Sequence, residues 1–172
     1  GLVITFLVVR ALVSRGGDGV ETGDGATATE GVAEFDVPSR NHVTTDVEYL
    51  QLPPVGGDHD PAWQTCGSYD EPVRDENAVH SMEHGAVWIA YEPTLDQGQV
   101  DAITAAAAGQ THVLVTPRAG LDSPIVLSAW GRQLAVETAD DERIATFIRD
   151  FQEGPDTPEL GAPCSGGIGT PS

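Results

Sequence analysis

Ala86-Val-Trp-Ile-Ala-Tyr91 is an uncharged apolar run that Glu92-Pro93 brings to an end. A short continuous run of this kind reads as a buried strand, so the fold must build a core around it. The residues just before it are as constraining. His80-Ser-Met82-Glu83-His84-Gly85 carries two of the five histidines, the only methionine and a carboxylate. Potential metal ligands thus stand directly beside the part of the chain with the strongest demand for burial.

Asp75 to His84 reads as a short helix, with acidic Asp75 and Glu76 in its first turn and Gly85 where a left-handed C-cap belongs. On a helix, His80 and His84 lie one turn apart on one face and can reach one ion, an arrangement that suits zinc among others. On a strand, His80, Met82 and His84 would share a side and offer N, S, N donors, which suits copper. The glycine cap favours the helix, which turns Met82 away from the imidazoles. The same residues match H-x-x-E-H, the inverted zinc-peptidase pattern, with Glu83 as base. The helix stops too soon for that class, and no downstream glutamate on a convincing helix supplies a third ligand.

The other donors are scattered. His59 follows Gly56-Gly57 in a long Pro/Gly-rich loop from Pro53 to Asp70, and the glycines let that loop turn sharply against another surface. Asp58 and Asp60 flank it as ligands or as acceptors that orient an imidazole. A loop of this length inside a domain is functional or pinned down. His42 begins a segment, His42 to Leu50, with strand-like alternation at Val43, Thr45, Val47 and Tyr49. His112, inside a predicted strand, reads as a satisfied and partly buried side chain. Ser81 and Ser128 lack the glycines of a nucleophile elbow. Trp63, Trp88 and Trp130 read as core or loop anchors.

Further along, the pattern predicts a helix over Leu95 to Ala108 capped by Thr94, and a strand over Thr111 to Thr116 stopped by Pro117. It then predicts a strand pair, Ile125 to Trp130 and Gln133 to Glu137, turning at Gly131. A helix over Asp140 to Phe151 follows, with Ile144, Phe147, Ile148 and Phe151 on one face. The expected fold is therefore α/β or α+β, a single compact sandwich of about four to five strands with two to three helices. The globular domain is taken as residues 32–172. Residues 14–31, rich in Gly, Asp, Glu and Thr, read as a flexible acidic stalk. Residues 1–13 read as the end of a truncated signal anchor or signal peptide: too short to cross a bilayer, which takes about 20 residues, yet almost wholly apolar. Arg10 and Arg15 run against the positive-inside tendency of that reading.

Charge excludes some partners. The 172-residue chain has 27 acidic residues against 8 basic ones, all arginine, for a net charge of −19. Nucleic acid and anionic membrane surfaces are repelled. Cys66 and Cys164 have neither redox nor zinc-finger spacing. Outside the cytoplasm they would form one disulfide closing about 100 residues and contributing roughly 4 to 5 kcal/mol; the alternative is two separate buried thiols.

Five segments in order, Pro53-Pro-Val-Gly-Gly-Asp-His59, Cys66-Gly-Ser-Tyr69, Ala78 to Tyr91, Ser128-Ala-Trp-Gly-Arg132 and Pro158 to Gly167, resemble domain-of-unknown-function family 3105. The resemblance spans about Asn41 to Gly169. It implies a bacterial protein, often with an N-terminal membrane anchor, and so supports the disulfide. It carries no activity or catalytic residue. It implies that His59, His80, Glu83 and His84 are the family's polar motif positions. Met82 stands where the family also has leucine, which moves weight from a thioether toward histidine and carboxylate ligands. The sequence thus leads to an extracytoplasmic domain at the cell membrane, with one N-terminal anchor. This domain holds copper or zinc through His59, His80, His84, Glu83, Met82 and His42. Two alternatives stay open: a structural or protein-interaction domain of the envelope without metal, and a small metal-dependent hydrolase.

Overall fold

The computed structural model describes residues 30–172. The anchor reading of residues 1–13 and most of the stalk reading of 14–31 lie outside the described residues. The described chain forms one mixed six-stranded sheet with three helices, an α+β fold. In chain order the elements are β1 (Ala33–Glu34), β2 (Gly67–Ser68), α1 (Asp75–Glu83), β3 (Val87–Tyr91) and α2 (Gln97–Ala107). β4 (Val113–Pro117), β5 (Ile125–Ala129), β6 (Arg132–Val136) and α3 (Arg143–Phe151) follow. The sheet order is β1-β6-β5-β3-β4-β2. β3 runs parallel to β4 and antiparallel to β5, with α2 as the crossover between the parallel pair.

The central position of β3 explains its composition. Alternate residues of a strand face opposite sides, and here both sides are covered. Val87, Ile89 and Tyr91 pack in a cluster with Ile103 of α2 and with Ile144, Phe147 and Ile148 of α3. Trp88 and Ala90 pack on the other side with Ala78, Val79 and Met82 of α1. A strand buried on both faces has no place for polar residues. At the centre of the strand the Trp88 indole N–H donates to Thr116 Oγ1 at 2.9 Å.

Two expected elements differ. His42 to Leu50 is not a strand: within it only His42 bridges the sheet-like way, in parallel to His59. Val47 N–H goes instead to the Glu76 carboxylate at 2.7 Å. The second helix is capped by Asp96, whose side chain accepts from Gly98 N–H at 2.9 Å, rather than by Thr94. Cys66 and Cys164 form a disulfide with Cα atoms 5.4 Å apart, tying the long loop to the C-terminal tail. No helix among the described residues is long and apolar enough to cross a membrane.

Gly85 sets the geometry between α1 and β3. Gly85 N–H donates to Met82 O and Ala86 N–H to Ser81 O, both at 2.9 Å, the paired bonds that close a helix at a left-handed residue. Its φ is +99°, and a Cβ there would lie 3.0 Å from Glu153 Cα. Gly85→Ala should therefore lower stability by about 2 kcal/mol, since left-handed strain and the backbone contact act together. Urea unfolding with an unchanged m-value and a lower midpoint would show it.

Candidate metal centre

α1 is unusual in that its polar side is as buried as its apolar one: every residue from Glu76 to Glu83 is buried. Buried polar groups need partners, and the long loop supplies them. Asn77 Nδ2 donates to Ala62 O at 2.6 Å, and Ser81 Oγ donates to Gln64 O at 2.7 Å. The loop is thus pinned to the helix by these side-chain bonds together with two backbone bonds, Asp60 N–H to Glu76 O at 3.3 Å and Gln64 N–H to Asn77 O at 3.1 Å. This is what brings His59 against α1. His59 is fully buried, and its bridge to the 41–43 segment (Val43 N–H to His59 O, 2.7 Å; His59 N–H to Asn41 O, 3.0 Å) delivers His42 beside it.

Three imidazoles are oriented the same way. Nδ1 of His59 meets Gly57 O at 2.8 Å, Nδ1 of His80 meets Asp60 O at 2.7 Å, and Nδ1 of His84 meets Pro163 O at 2.8 Å. A carbonyl can only accept, so each Nδ1 carries the proton. In the neutral ring this leaves the Nε2 lone pair free, as in metal-ligating histidines held by a backbone carbonyl. His112 gives the contrast. Its two nitrogens are occupied by Ala162 O at 3.0 Å and Thr111 Oγ1 at 2.9 Å, the satisfied, buried state expected of it.

His42, His59, His80 and Glu83 each bring one ligand atom into a group in which all lie within 4.8 Å of one another. Glu83 Oε2 is 3.0 Å from His59 Nε2 and 3.6 Å from His42 Nε2. Ligands about 2.05 Å from a tetrahedral ion stand about 3.3 Å apart, so these two separations bracket the required edge. The 3.0 Å contact also has a chemical demand. With Nδ1 already the donor, a neutral His59 presents a lone pair to a carboxylate oxygen, and two acceptors attract only with a proton or a cation between them. His42 is the open side, its side chain 47% exposed, whereas His59 and Glu83 are almost wholly enclosed.

A second group shares His80: His80, His84 and Glu159 also place ligand atoms within 4.8 Å. Glu159 comes from the tail, whose Glu159 N–H donates to Glu83 O at 3.0 Å. Trp63 lies over this side, its ring centroid 4.9 Å from that of His84 and 5.8 Å from that of His80.

Burial pushes the His80 imidazole below its ordinary value of 6.5; the neighbouring His84, His59 and His42 add to the shift, and the bond to Asp60 O opposes it. The folded state therefore holds fewer protons on His80 than the unfolded chain between the lowered value and 6.5. Its contribution is intact above that window and is lost as pH falls through it. The metal-free protein should melt at a lower temperature at about pH 5 than at about pH 7.5, and His80→Gln should flatten that dependence.

Comparison with known families matches residues 42–166 to DUF3105, described as a protein of unknown function. The chain belongs to the DUF3105 family. No curated protein and no solved structure matches it.

The DUF3105 match contains both groups of ligands and both cysteines. Of the residues expected from sequence, His42, His59, His80 and Glu83 come together, and His84 lies on the far side of His80. Met82 is fully buried in the apolar cluster against Trp88 and Leu114. The flanking aspartates have other work. Asp58 Oδ1 accepts from Asn41 N–H at 2.8 Å, and Asp60 accepts from Ala62 N–H at 2.9 Å and from Arg74 at 2.7 Å. These bonds hold both carboxyls below their usual range, the backbone N–H foremost in each.

Two residues escaped the sequence reading. Glu159 had one signal, its place five residues before the cysteine that joins the His59 loop. Arg40 had none; its Nη1 stands 3.6 Å from Glu83 Oε1. Because this cation opposes a second positive charge at Glu83, Arg40→Gln should tighten zinc binding by about three- to tenfold. A competition titration against a zinc indicator reads it.

Proposed function

We propose that this domain binds a transition-metal ion, copper or zinc, through His42, His59, His80 and Glu83. The observation that carries the reading is the convergence of lone pairs. Backbone carbonyls already hold His59 and His80 by Nδ1, so orienting them needs nothing from Nε2. At His59 the second nitrogen meets Glu83 Oε2 at 3.0 Å, a contact that requires a proton or a cation between the two atoms, and His80 joins the same group. Arg40 stands at one oxygen of Glu83, and a metal ion would supply positive charge at the other, where the imidazoles of His42 and His59 converge. Three imidazoles and one carboxylate suit Zn(II) and Cu(II); with Met82 packed in the core, the soft thioether that favours Cu(I) is out of the set.

Glu83 fits the role of ligand better than that of a catalytic base, because its carboxylate is engaged by His59, His42 and Arg40 together. We also place the domain outside the cytoplasm, at the membrane through the apolar residues preceding the stalk. Support comes from the Cys66–Cys164 disulfide, of a kind that persists in oxidising compartments. Titration of the metal-free protein with Zn(II), Cu(II) and Cu(I) tests the metal reading. It predicts binding tighter than about 1 μM for at least one ion. Binding weaker than that for every ion would reject it.

A further inference from the structure

Resting on that reading, we propose that the centre takes two ions: His42, His59 and Glu83 hold one, and His80, His84 and Glu159 hold the other. The two groups of converging ligand atoms overlap only at His80. Its Nδ1 is spent on Asp60 O, so His80 has a single lone pair and serves one ion at a time. The six side chains then divide evenly, two imidazoles and one carboxylate to each ion. With one ion bound, His80 completes the four-ligand set; with the second, it turns to His84 and Glu159.

The second position is built, not incidental. His84 is 4% exposed and held by Pro163 O, which leaves its Nε2 toward Glu159 Oε2 at 3.6 Å. The tail that supplies Glu159 is fixed at both ends of the relevant stretch, by Glu159 N–H to Glu83 O and by the Cys66–Cys164 bond. Glu83 and His84, consecutive at one helix end, point to different sides, so each can serve its own ion, with His80 between the two groups. Two ions also bring four positive charges to a chain of net charge −19, which lowers the repulsion between them. The water-exposed faces are His42 on one side and Glu159 on the other, so each ion has its own way in.

Zinc chloride titrated into the full chain at about 0.15 M salt, followed by calorimetry, decides it. The expected result is two ions per chain, the second weaker than the first. Glu159→Gln should weaken the second by about tenfold or more and leave the first within about twofold. His84→Ala should remove the second; Glu159→Gln, isosteric and half-exposed, keeps the test alive if the His84 variant does not fold. One ion per chain in the unaltered protein overturns the two-ion proposal while the metal-binding reading stands. Two ions unaffected by Glu159→Gln also overturn it. No binding overturns both.

Discussion

His80→Ala is expected to weaken zinc binding by at least about 100-fold, the largest effect of any single change in the protein. Outer partners of metal ligands are worth 10- to 100-fold, and His80 stands among the ligands themselves, central to both groups. The substitution also leaves Asp60 O without its 2.7 Å donor, so some loss of stability accompanies it, of order 1 kcal/mol. The two effects separate in a melting experiment. A ligand present at 100 times its dissociation constant stabilises by about 2.7 kcal/mol. The unaltered protein should melt higher with zinc, and at the same zinc concentration the variant should gain about 0.4 kcal/mol or less. Glu83→Gln provides the conservative companion, keeping the shape of the side chain and removing its charge.

The second large effect concerns stability. Replacing Cys66 and Cys164 together by serine should cost about 4 to 5 kcal/mol, the chain-entropy value for a loop closed over a separation of 98 residues. The bond does more than restrain the unfolded chain. It holds the tail where Pro163 O and Ala162 O meet His84 and His112. Chemical denaturation of the variant checks the number. The same variant should lose affinity for the second zinc ion more than for the first, since only Glu159 comes from the tail.

The parts of this account that were legible in the sequence are those fixed by near neighbours. The helix bearing His80 and His84, its glycine end and the strand behind it follow from residues 75–91 alone. The role of the long loop as a pinned segment followed from its length, and the structure shows the pins: Asn77, His80 and Ser81 against backbone carbonyls. The segment from His42 to Leu50 misled because its alternation is real. Val47 and Tyr49 do turn inward, but the surface they meet is α1 and a loop, with no strand edge to pair with. His42 reached the site through one bridge to His59, a contact no local pattern encodes. Glu159 was beyond reach for the same reason: it joins the cluster across more than seventy residues of chain, through a tail without regular structure. β1 and β2, at two residues each, are too short to leave a periodicity.

Crystals of the protein loaded with one equivalent of zinc, measured on either side of the zinc absorption edge, locate the ion. One anomalous peak is expected about 2.0 to 2.2 Å from the Nε2 atoms of His42, His59 and His80 and from a Glu83 carboxylate oxygen, as binding by these four residues requires. A peak on surface carboxylates away from these four residues, or no peak at all, would contradict it.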